Sequence, residues 1–382
     1  MPFHGIFVLN RLKAMSKYAD IKVINPIPWS PIHPFIGKFK KLKSIPEKEL
    51  IGGIEVFHPR FLSIPGHVKF IEAYTYFSSV KSAILKIESS FKFDLVDLHW
   101  TYPDLPTGVK LSKQYDVPFG ITLRGMEAFH EQDSDSRKEI VKRDLGRAKY
   151  VISLSREMAK HADEISKVKQ ITTVIRNGAD TADFYYLKQD LAKISVGINP
   201  QGPVILGVGA LIRRKGFDLV LQCLVNVRKQ PGLENTMFYI LGAEGPEGDY
   251  RTKLFTQVTK LELEDAVVFQ GAVANTHLVQ WYNAVDVFCL SSRGEGSPNV
   301  LSEALACGTP VVSTDVGSAR EIVECETGLG HVVPSEDIGK MSTALITSLN
   351  VKHNRASIAE VMNKYDWEWC AKKVMHTIEH IK

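Results

Sequence analysis

Two doubly wound α/β domains in tandem are the fold class that the sequence predicts, on three observations. Short β-branched and apolar runs alternate with helix-patterned stretches along the chain, the signature of a parallel sheet covered on both faces. A turn-rich stretch, "NGADTADFYYLKQDLAKISVGINPQG", interrupts that alternation near the middle, and the alternation then restarts. With 382 residues and 44% hydrophobic content, the chain is also longer than one core ordinarily organises.

The first element is already unusual. A doubly wound domain ordinarily opens with an apolar strand, a glycine-containing loop and a helix, whereas Met1 is followed almost at once by "FHGIFVLNRLKAM", which reads as the loop and the helix. The first strand, central in the usual order, is therefore expected to be missing. Three explanations stand: a start codon assigned too far downstream, a broken gene, or another segment filling the slot. The first is preferred because the pattern after Gly5 stays orderly. Gly5 is read either as the surviving loop glycine, letting the backbone approach a ligand, or as a plain turn residue.

Strands "IKVINP", "IEVFHPRF", "DLVDLHW", "PFGITLRG", "YVISLS" and "ITTVIRN" follow, separated by helical patterns, and complete a first domain over 1–184. Within it, "IGKFKKLKSIP" alternates Lys38, Lys40, Lys41 and Lys43 with Phe39 and Leu42. Such a segment suits either an anionic lipid surface or a simple soluble loop. Residues 185–202, closed by Pro200 and Gly202, read as the linker. The second domain, 203–364, contributes "PVILGVGA", "TMFYILGAE", "AVVFQGAV", "VDVFCLSS" and "TPVVST" as strands, and 365–382 remains as a terminal helix. A ligand cleft is expected between two Rossmann-like domains so arranged.

Composition excludes several classes. A formal net charge of +4 is small for this length and argues against a dedicated nucleic-acid binder. The five cysteines all lie in the second half, odd in number and without metal-ligand spacing, which fits a reducing compartment and no metal site. There is no run of 18 apolar residues, and the N-terminus lacks the charged start and apolar core of a signal peptide. A cytoplasmic protein is expected.

Domains of this kind bind ligands at the carboxyl ends of their strands, so the loops after strands are where chemistry is sought. In "RGEGSPNVLSEALACGTPVV" (293–312), Ser297 suits an N-cap and Pro298 the first turn of a short helix, 298–306, stopped by Gly308. Its N-terminus, reached through Gly294 and Gly296, presents free N–H groups and the positive end of a dipole, which suit a phosphate. Glu303 lies inside that helix with its side chain leaning back toward the N-terminus, and Glu295 lies in the loop on the other side of the same anion. A carboxylate accepts from two neighbouring hydroxyls, so two acids flanking a phosphate site suggest a nucleotide sugar, with diols on both sides of its phosphates. The cations this requires stand in "VGALIRRKGFD", as Arg213, Arg214 and Lys215. The plainer alternative is a solvated glutamate and a wet basic loop.

At these residues the sequence resembles glycosyltransferase family 4, the retaining nucleotide-sugar transferases of GT-B fold, over nearly the whole chain. The most specific element is the spaced acid pair in "EGSPNVLSEALACGTPVV". "VGALIRRKGFD", "VIRNGADTADF", "WYNAVDVFCLSS", "TDVGSAREIV" and the terminal "YDWEWCAKKV" support it, the last like the family's helix returning to the first domain. The resemblance implies that Glu295 contacts the donor sugar, Glu303 the ribose, and Arg214 and Lys215 the diphosphate. It places Gly209, Val273, Gly296, Ser297, Pro298, Asn299 and Val300 around the donor. It further implies transfer with retention, by front-face attack within an ion pair, without a metal or other cofactor.

"FHGIFVLNRL", "DLHWTYPD" and "TLRGMEAFH" look most like enzymes of bacterial surface-polysaccharide assembly, including teichuronic-acid-type transferases, so a saccharide or lipid-linked acceptor is expected. One departure matters. Where many members carry a histidine after a strand of the first domain, this chain has Arg124, which cannot serve as a base. Its expected part in catalysis, beside Glu295, is to stabilise the departing diphosphate or orient the sugar; the alternative is a loop-bracing arginine. Glu127 either fixes Arg124, the preferred reading, or touches the acceptor. His99, with Trp100, ends a strand where an acceptor should dock, although such a pair is often packing. His4 and His130 have weaker claims. Two other classes stay open: an epimerase of the same fold, which the acid pair argues against, and a degenerate protein that binds nucleotide sugars without turning them over.

Overall fold

The computed structural model describes residues 5–30, 41–63, 69–125, 135–166, 172–198, 201–245 and 250–380. Gly5 takes a left-handed conformation (φ 83°) that starts α1 (Ile6–Met15), and no strand precedes this helix among the described residues. The inward side of α1 carries Leu12, Ala14 and Met15 but also Arg11, a charged residue on an otherwise apolar stripe. Two units emerge, Met1–Ile175 with Cys370–Lys382, and Arg176–Trp369.

In the first unit, β1 (Lys22–Ile24) pairs in parallel with β4 (Ile54–Phe57), and β2 (Ile27–Trp29) with β5 (Arg60–Leu62). A strand absent from the sequence reading, β3 (Lys48–Ile51), folds back antiparallel on β4 across Gly52 and Gly53. After α2 (Lys69–Ile87), β6 (Val96–Leu98), β7 (Phe119–Leu123), β8 (Val151–Ser153) and β9 (Thr172–Val174) form one parallel ladder in sequence order. The crossovers are α3 (Asp104–Tyr115), α4 (Asp135–Leu145) and α5 (Arg156–Ser166). Every residue of β7 is buried, as the continuous apolar run "FGITL" requires of a strand covered on both faces.

In the usual doubly wound order the first strand lies between the second and the fourth. Their counterparts here are β1 and β6, and these share no ladder. Ile24 and Val96 meet instead in a side-chain cluster with Val80, Ile84 and Leu111.

The second unit is a complete doubly wound sheet. Its strands are β10 (Val204–Val208), β11 (Met237–Leu241), β12 (Val267–Gly271), β13 (Val287–Leu290), β14 (Val311–Thr314) and β15 (Gly330–Val333), all parallel in the order β12-β11-β10-β13-β14-β15. Side-chain alternation splits each strand between two layers. Val204, Leu206 and Phe288 join a cluster with Tyr282, Leu301 and Leu305, whereas Ile205, Val287 and Cys289 join one with Phe217, Val220 and Leu345. The five cysteines are unpaired thiols.

The expected boundary is displaced. Residues 176–184 belong to the second unit, where Ala179 bridges to Asp366 and Phe184 packs edge-on against Tyr282. The stretch 185–202 is not a bare linker: it holds α6 (Gln189–Val196), and Gln189 bonds the carbonyls of Ala284 and Val285 at 3.3 and 3.2 Å. The terminal helix (Trp367–Glu379) spans the division, with Cys370 onward in the first unit.

Candidate active site

Strand order reverses at β10, whose successors run to β11 on one side while β13 lies on the other. The loops leaving β10 and β13 therefore diverge, opening the crevice in which such sheets bind ligands. The loop after β10 tightens into a 3₁₀ turn, Arg213–Lys215, closed by Gly216. Gly216 must be glycine on two grounds. Its φ is 66°, and a Cβ there would lie 1.9 Å from the carbonyl oxygen of Ser291 in the loop after β13. The two loops are thus pressed together, and Arg293 N–H bonds Arg214 O at 2.7 Å while the Ser291 hydroxyl bonds Lys215 O at 2.9 Å.

This contact collects the predicted charges. Lys215 Nζ lies 2.6 Å from Glu295 Oε1 and Arg214 Nη1 3.3 Å from Glu295 Oε2, with the Ser292 hydroxyl donating to Oε1 at 2.7 Å. Gly209 stands beneath them: a Cβ on it would press the Lys215 stem at 3.0 to 3.3 Å. Arg213 points elsewhere in role, offering its carbonyl to Arg293 at 2.6 Å.

Four residues past Glu295, the helix Asn299–Ala306 begins, with Pro298 in the capping position and no side-chain cap. This corrects the expected start by one residue. Ser297 does not cap the helix because its hydroxyl takes a bond from Ser318 Oγ at 2.8 Å, while Ser318 N–H holds Gly296 O at 3.1 Å. The Asn299 side chain accepts from Asn177 Nδ2 at 3.1 Å, and Val300 and Val273 pack against the core of the unit. Glu303 accepts a bond from the Tyr282 hydroxyl at 2.9 Å. Burial pushes its carboxyl up to about 7; the Tyr282 bond opposes the shift and Asp180 adds to it. Cys307 and Gly308, the latter with φ 73°, end the helix as expected.

Sequence reasoning missed Arg293. Its guanidinium is bidentate to Asp218 at 2.8 and 2.7 Å and also bonds Glu336 and Arg213 O, so it ties the β13 loop to the first turn after the Arg213–Lys215 turn. Both partners lay in loops already singled out, "RGEGSP" and "RRKGFD", so the signal was present; the pairing was not. Tyr282 carried no such signal, since its partner is set only by tertiary packing.

In the first unit, Arg124 follows β7 and His99 follows β6, and the two meet with Arg124 Nη2 2.7 Å from His99 Nδ1. Burial, with Arg11 nearby, pulls the Arg124 guanidinium down to about 9, still charged at neutral pH. Glu127, His4, His130, Lys38 and Lys40 lie outside the described residues. Lys41–Ser44 forms a 3₁₀ turn on which Lys43 is exposed. Among the described residues no group of three or more His, Cys, Asp or Glu side chains is placed to hold a metal ion, and no helix is long and apolar enough to cross a membrane.

Two doubly wound α/β units in one chain are the architecture of the GT-B glycosyltransferase fold. The model described as Glycosyltransferase Family 4 matches residues 43–183 and that described as Glycosyl transferases group 1 matches residues 188–364, and the chain belongs to this glycosyltransferase family. TuaC of Bacillus subtilis (strain 168), named for teichuronic acid biosynthesis, is 26% identical over 330 residues, 84% of this chain and 79% of that protein. The lipopolysaccharide core biosynthesis mannosyltransferase LpsB of Rhizobium meliloti (strain 1021) is 32% identical over 177 residues, 45% of this chain and 49% of that protein. Among solved structures, Anabaena Alr3699/HepE in complex with UDP and glucose superposes with a TM-score of 0.71 at 20% identity, over 97% of this chain and 95% of that one, a likeness of GT-B fold.

Proposed function

We propose that this glycosyltransferase moves a sugar, with retention of anomeric configuration, from a nucleoside-diphosphate sugar to a saccharide or lipid-linked acceptor in cell-surface polysaccharide assembly. One observation carries the reading: Glu295, Arg214 and Lys215 converge at the mouth of the β10 and β13 loops, next to the helix that carries Glu303. Arg214 and Lys215 would hold the diphosphate, Glu303 the ribose diol and Glu295 the sugar hydroxyls, with the start of the helix Asn299–Ala306 offering N–H groups to the phosphates. The transfer is proposed to need no metal, since two cations and a helix start offset the phosphate charge. Arg124 is assigned to stabilising charge on the leaving group and the first unit to the acceptor.

The names of TuaC and LpsB favour a surface-polysaccharide role, and the UDP and glucose held by HepE favour a nucleotide-sugar donor. Work in the cytoplasm, at the inner face of the membrane, fits an acceptor of lipid-linked type. The test is a panel of nucleoside diphosphates and their sugars, screened by thermal shift and then by release of nucleoside diphosphate in EDTA. Stabilisation and turnover with one donor are expected. Stabilisation without turnover of any donor would leave a binding protein instead, and turnover abolished by EDTA would remove the metal-free mechanism.

A further inference from the structure

Arg124 and His99 meet in a way that fixes the protonation of the imidazole. A guanidinium has no lone pair to offer, so the nitrogen it approaches at 2.7 Å, His99 Nδ1, is the bare acceptor. The ring proton then sits on Nε2, which faces Asp97 Oδ2 at 3.3 Å. Asp97 is itself held from two further sides. The Tyr150 hydroxyl donates to its Oδ1 at 3.0 Å, and Arg11 Nη2 lies 3.7 Å from its Oδ2 while Arg11 Nη1 bonds Thr122 Oγ1 at 2.7 Å. The main chain is pinned as well: the N–H groups of His99 and Trp100 bond the Asp104 carboxylate, which takes the Tyr76 hydroxyl at 2.6 Å.

From this geometry we propose that His99 is a positioning residue, locked between Asp97 and Arg124, whose task is to hold the Arg124 guanidinium in one orientation rather than to touch the acceptor. The inference rests on the reading of Arg124 as a participant in transfer. Nδ1 is taken by Arg124, and Nε2 faces the Asp97 carboxylate at 3.3 Å, an electrostatic contact rather than an aligned hydrogen bond, so both edges of the ring are turned toward protein rather than toward an acceptor hydroxyl. Arg124 Nε, by contrast, is buried without a partner among the described residues, and it is the N–H that the lock leaves to a ligand.

The charges around the ring agree with a neutral imidazole. Burial pulls His99 down to about 4; Asp97 opposes this, and Arg124 and Arg11 add to it. Protonation would set a second N–H against the guanidinium donor. Among the described residues, the groups facing the ring and its two partners are Asp97 on β6, Arg124 after β7, Tyr150 before β8, Arg11 on the first helix, Asp104 on the helix after β6 and Cys370 on the terminal helix. Against its burial, Asp97 is held below the usual carboxylate range by His99, Arg11 and Tyr150.

Two measurements test the lock. In protein labelled with ¹⁵N-histidine, the two-bond ¹H–¹⁵N spectrum, assigned by the signal missing in His99→Gln, should show the neutral Nε2–H tautomer throughout roughly pH 6–8. A proton on Nδ1, or titration within that range, overturns the proposal whatever the chemistry of the protein. The second measurement is hydrolysis of the donor that the nucleotide-sugar panel identifies, with water standing in for the acceptor. His99→Ala should slow it on the order of 100-fold, because a misplaced guanidinium loses its hold on the leaving group. Gln presents one acceptor and one donor in a similar span, so His99→Gln should recover most of the rate. A histidine that merely touched the acceptor would leave hydrolysis unchanged, and that result also overturns the proposal. If no donor is hydrolysed by the unaltered protein, the transferase reading has failed, and the spectrum alone then judges the lock.

Discussion

Replacing Arg293 by Met is the sharpest perturbation of the donor loops, because it removes a tie and touches none of the residues assigned to ligand. The guanidinium and the Asp218 carboxylate are only 15% and 18% exposed, and two parallel bonds at 2.8 and 2.7 Å join them. A charge-assisted bond contributes about 1.5–3 kcal/mol, and breaking a buried pair from one side costs about 3–5 kcal/mol. A mostly buried pair should therefore lose about 3 kcal/mol, which for a unit of this size is a fall in Tm of about 6–12 °C. The same side chain also holds Arg213 O, so the turn bearing Arg214 and Lys215 loosens and nucleoside-diphosphate affinity should drop about ten-fold, or about 1.4 kcal/mol. Isothermal titration with the preferred nucleoside diphosphate measures the second effect, and the melting transition which that ligand raises measures the first. Arg228→Met is the control. Its bidentate partner Asp265 is 68% exposed and lies away from the site, so about 0.5 kcal/mol and no change in affinity are expected. Wild-type affinity in Arg293→Met, or an equal loss in Arg228→Met, would refute the tie.

Glu303 should make nucleotide binding pH-dependent. Its folded pKa of about 7 exceeds the ordinary value, so it is protonated in the folded state below that pH, and the carboxylate that accepts both ribose hydroxyls forms only as pH rises through 7. Affinity should increase from pH 6 to 8 beyond any change seen in Glu303→Gln, and identical profiles would exclude the assignment. The same shift stabilises the fold at low pH and loses that contribution as pH climbs from the unfolded value toward 7, so the midpoint of thermal unfolding in Glu303→Gln should be less sensitive over that window. Glu295→Ala should lower turnover while leaving nucleoside-diphosphate affinity intact or higher, since Lys215 and Arg214 are released; a large loss of affinity would mean that Glu295 holds the nucleotide. Lys215→Ala should weaken diphosphate binding more than Arg213→Ala, and equal titration curves for the two would contradict the division of roles. Exchanging Lys38, Lys40, Lys41 and Lys43 for Gln should reduce sedimentation with anionic liposomes by about 1 kcal/mol per lysine, with donor affinity unchanged; unaltered sedimentation would make the segment a soluble loop.

The second unit was legible in the sequence because its central strands β10, β13 and β14 are buried on both faces and read as unbroken apolar runs. "PVILGVGA" and "VDVFCLSS" allow no other placement, whereas β15, Gly330–Val333, begins with glycine and histidine and passes as a loop. One further strand escapes for the same reason. β3, "KELI", alternates exposed and half-buried residues and is defined by its hairpin with β4 rather than by composition. The stretch 185–202 was misread because glycine, proline and asparagine at its ends outweigh the short helical run "QDLAKISV" between them. In the first unit the parallel strands after α1 were foreseen but not their division into separate ladders, nor that Arg11 lies on the buried side of α1, which nothing local announces.

The site was legible to the level of residue type and no further. A sequence shows which charges sit in loops at strand ends; it does not show which of them pair, because pairing depends on two loops separated by about eighty residues being pressed together at Gly216 and Ser291. Arg213, Arg214 and Lys215 are consecutive, yet the tight turn sends two of them to Glu295 and uses the third for its carbonyl. That arrangement has a consequence for recognition. The cations assigned to the diphosphate are already satisfied by the acid assigned to the sugar, so a ligand must exchange those bonds rather than fill unmet ones. A free sugar brings hydroxyls for Glu295 but no charge for Lys215, and inorganic phosphate brings the charge but no hydroxyls. Each would strand one member of a half-buried ion pair, at a cost of about 1–3 kcal/mol. Only a ligand carrying both groups at the right spacing leaves neither side unpaired. On the proposed reading, selectivity for an intact nucleotide sugar therefore follows from the Lys215–Glu295 contact itself, ahead of any contribution from the base.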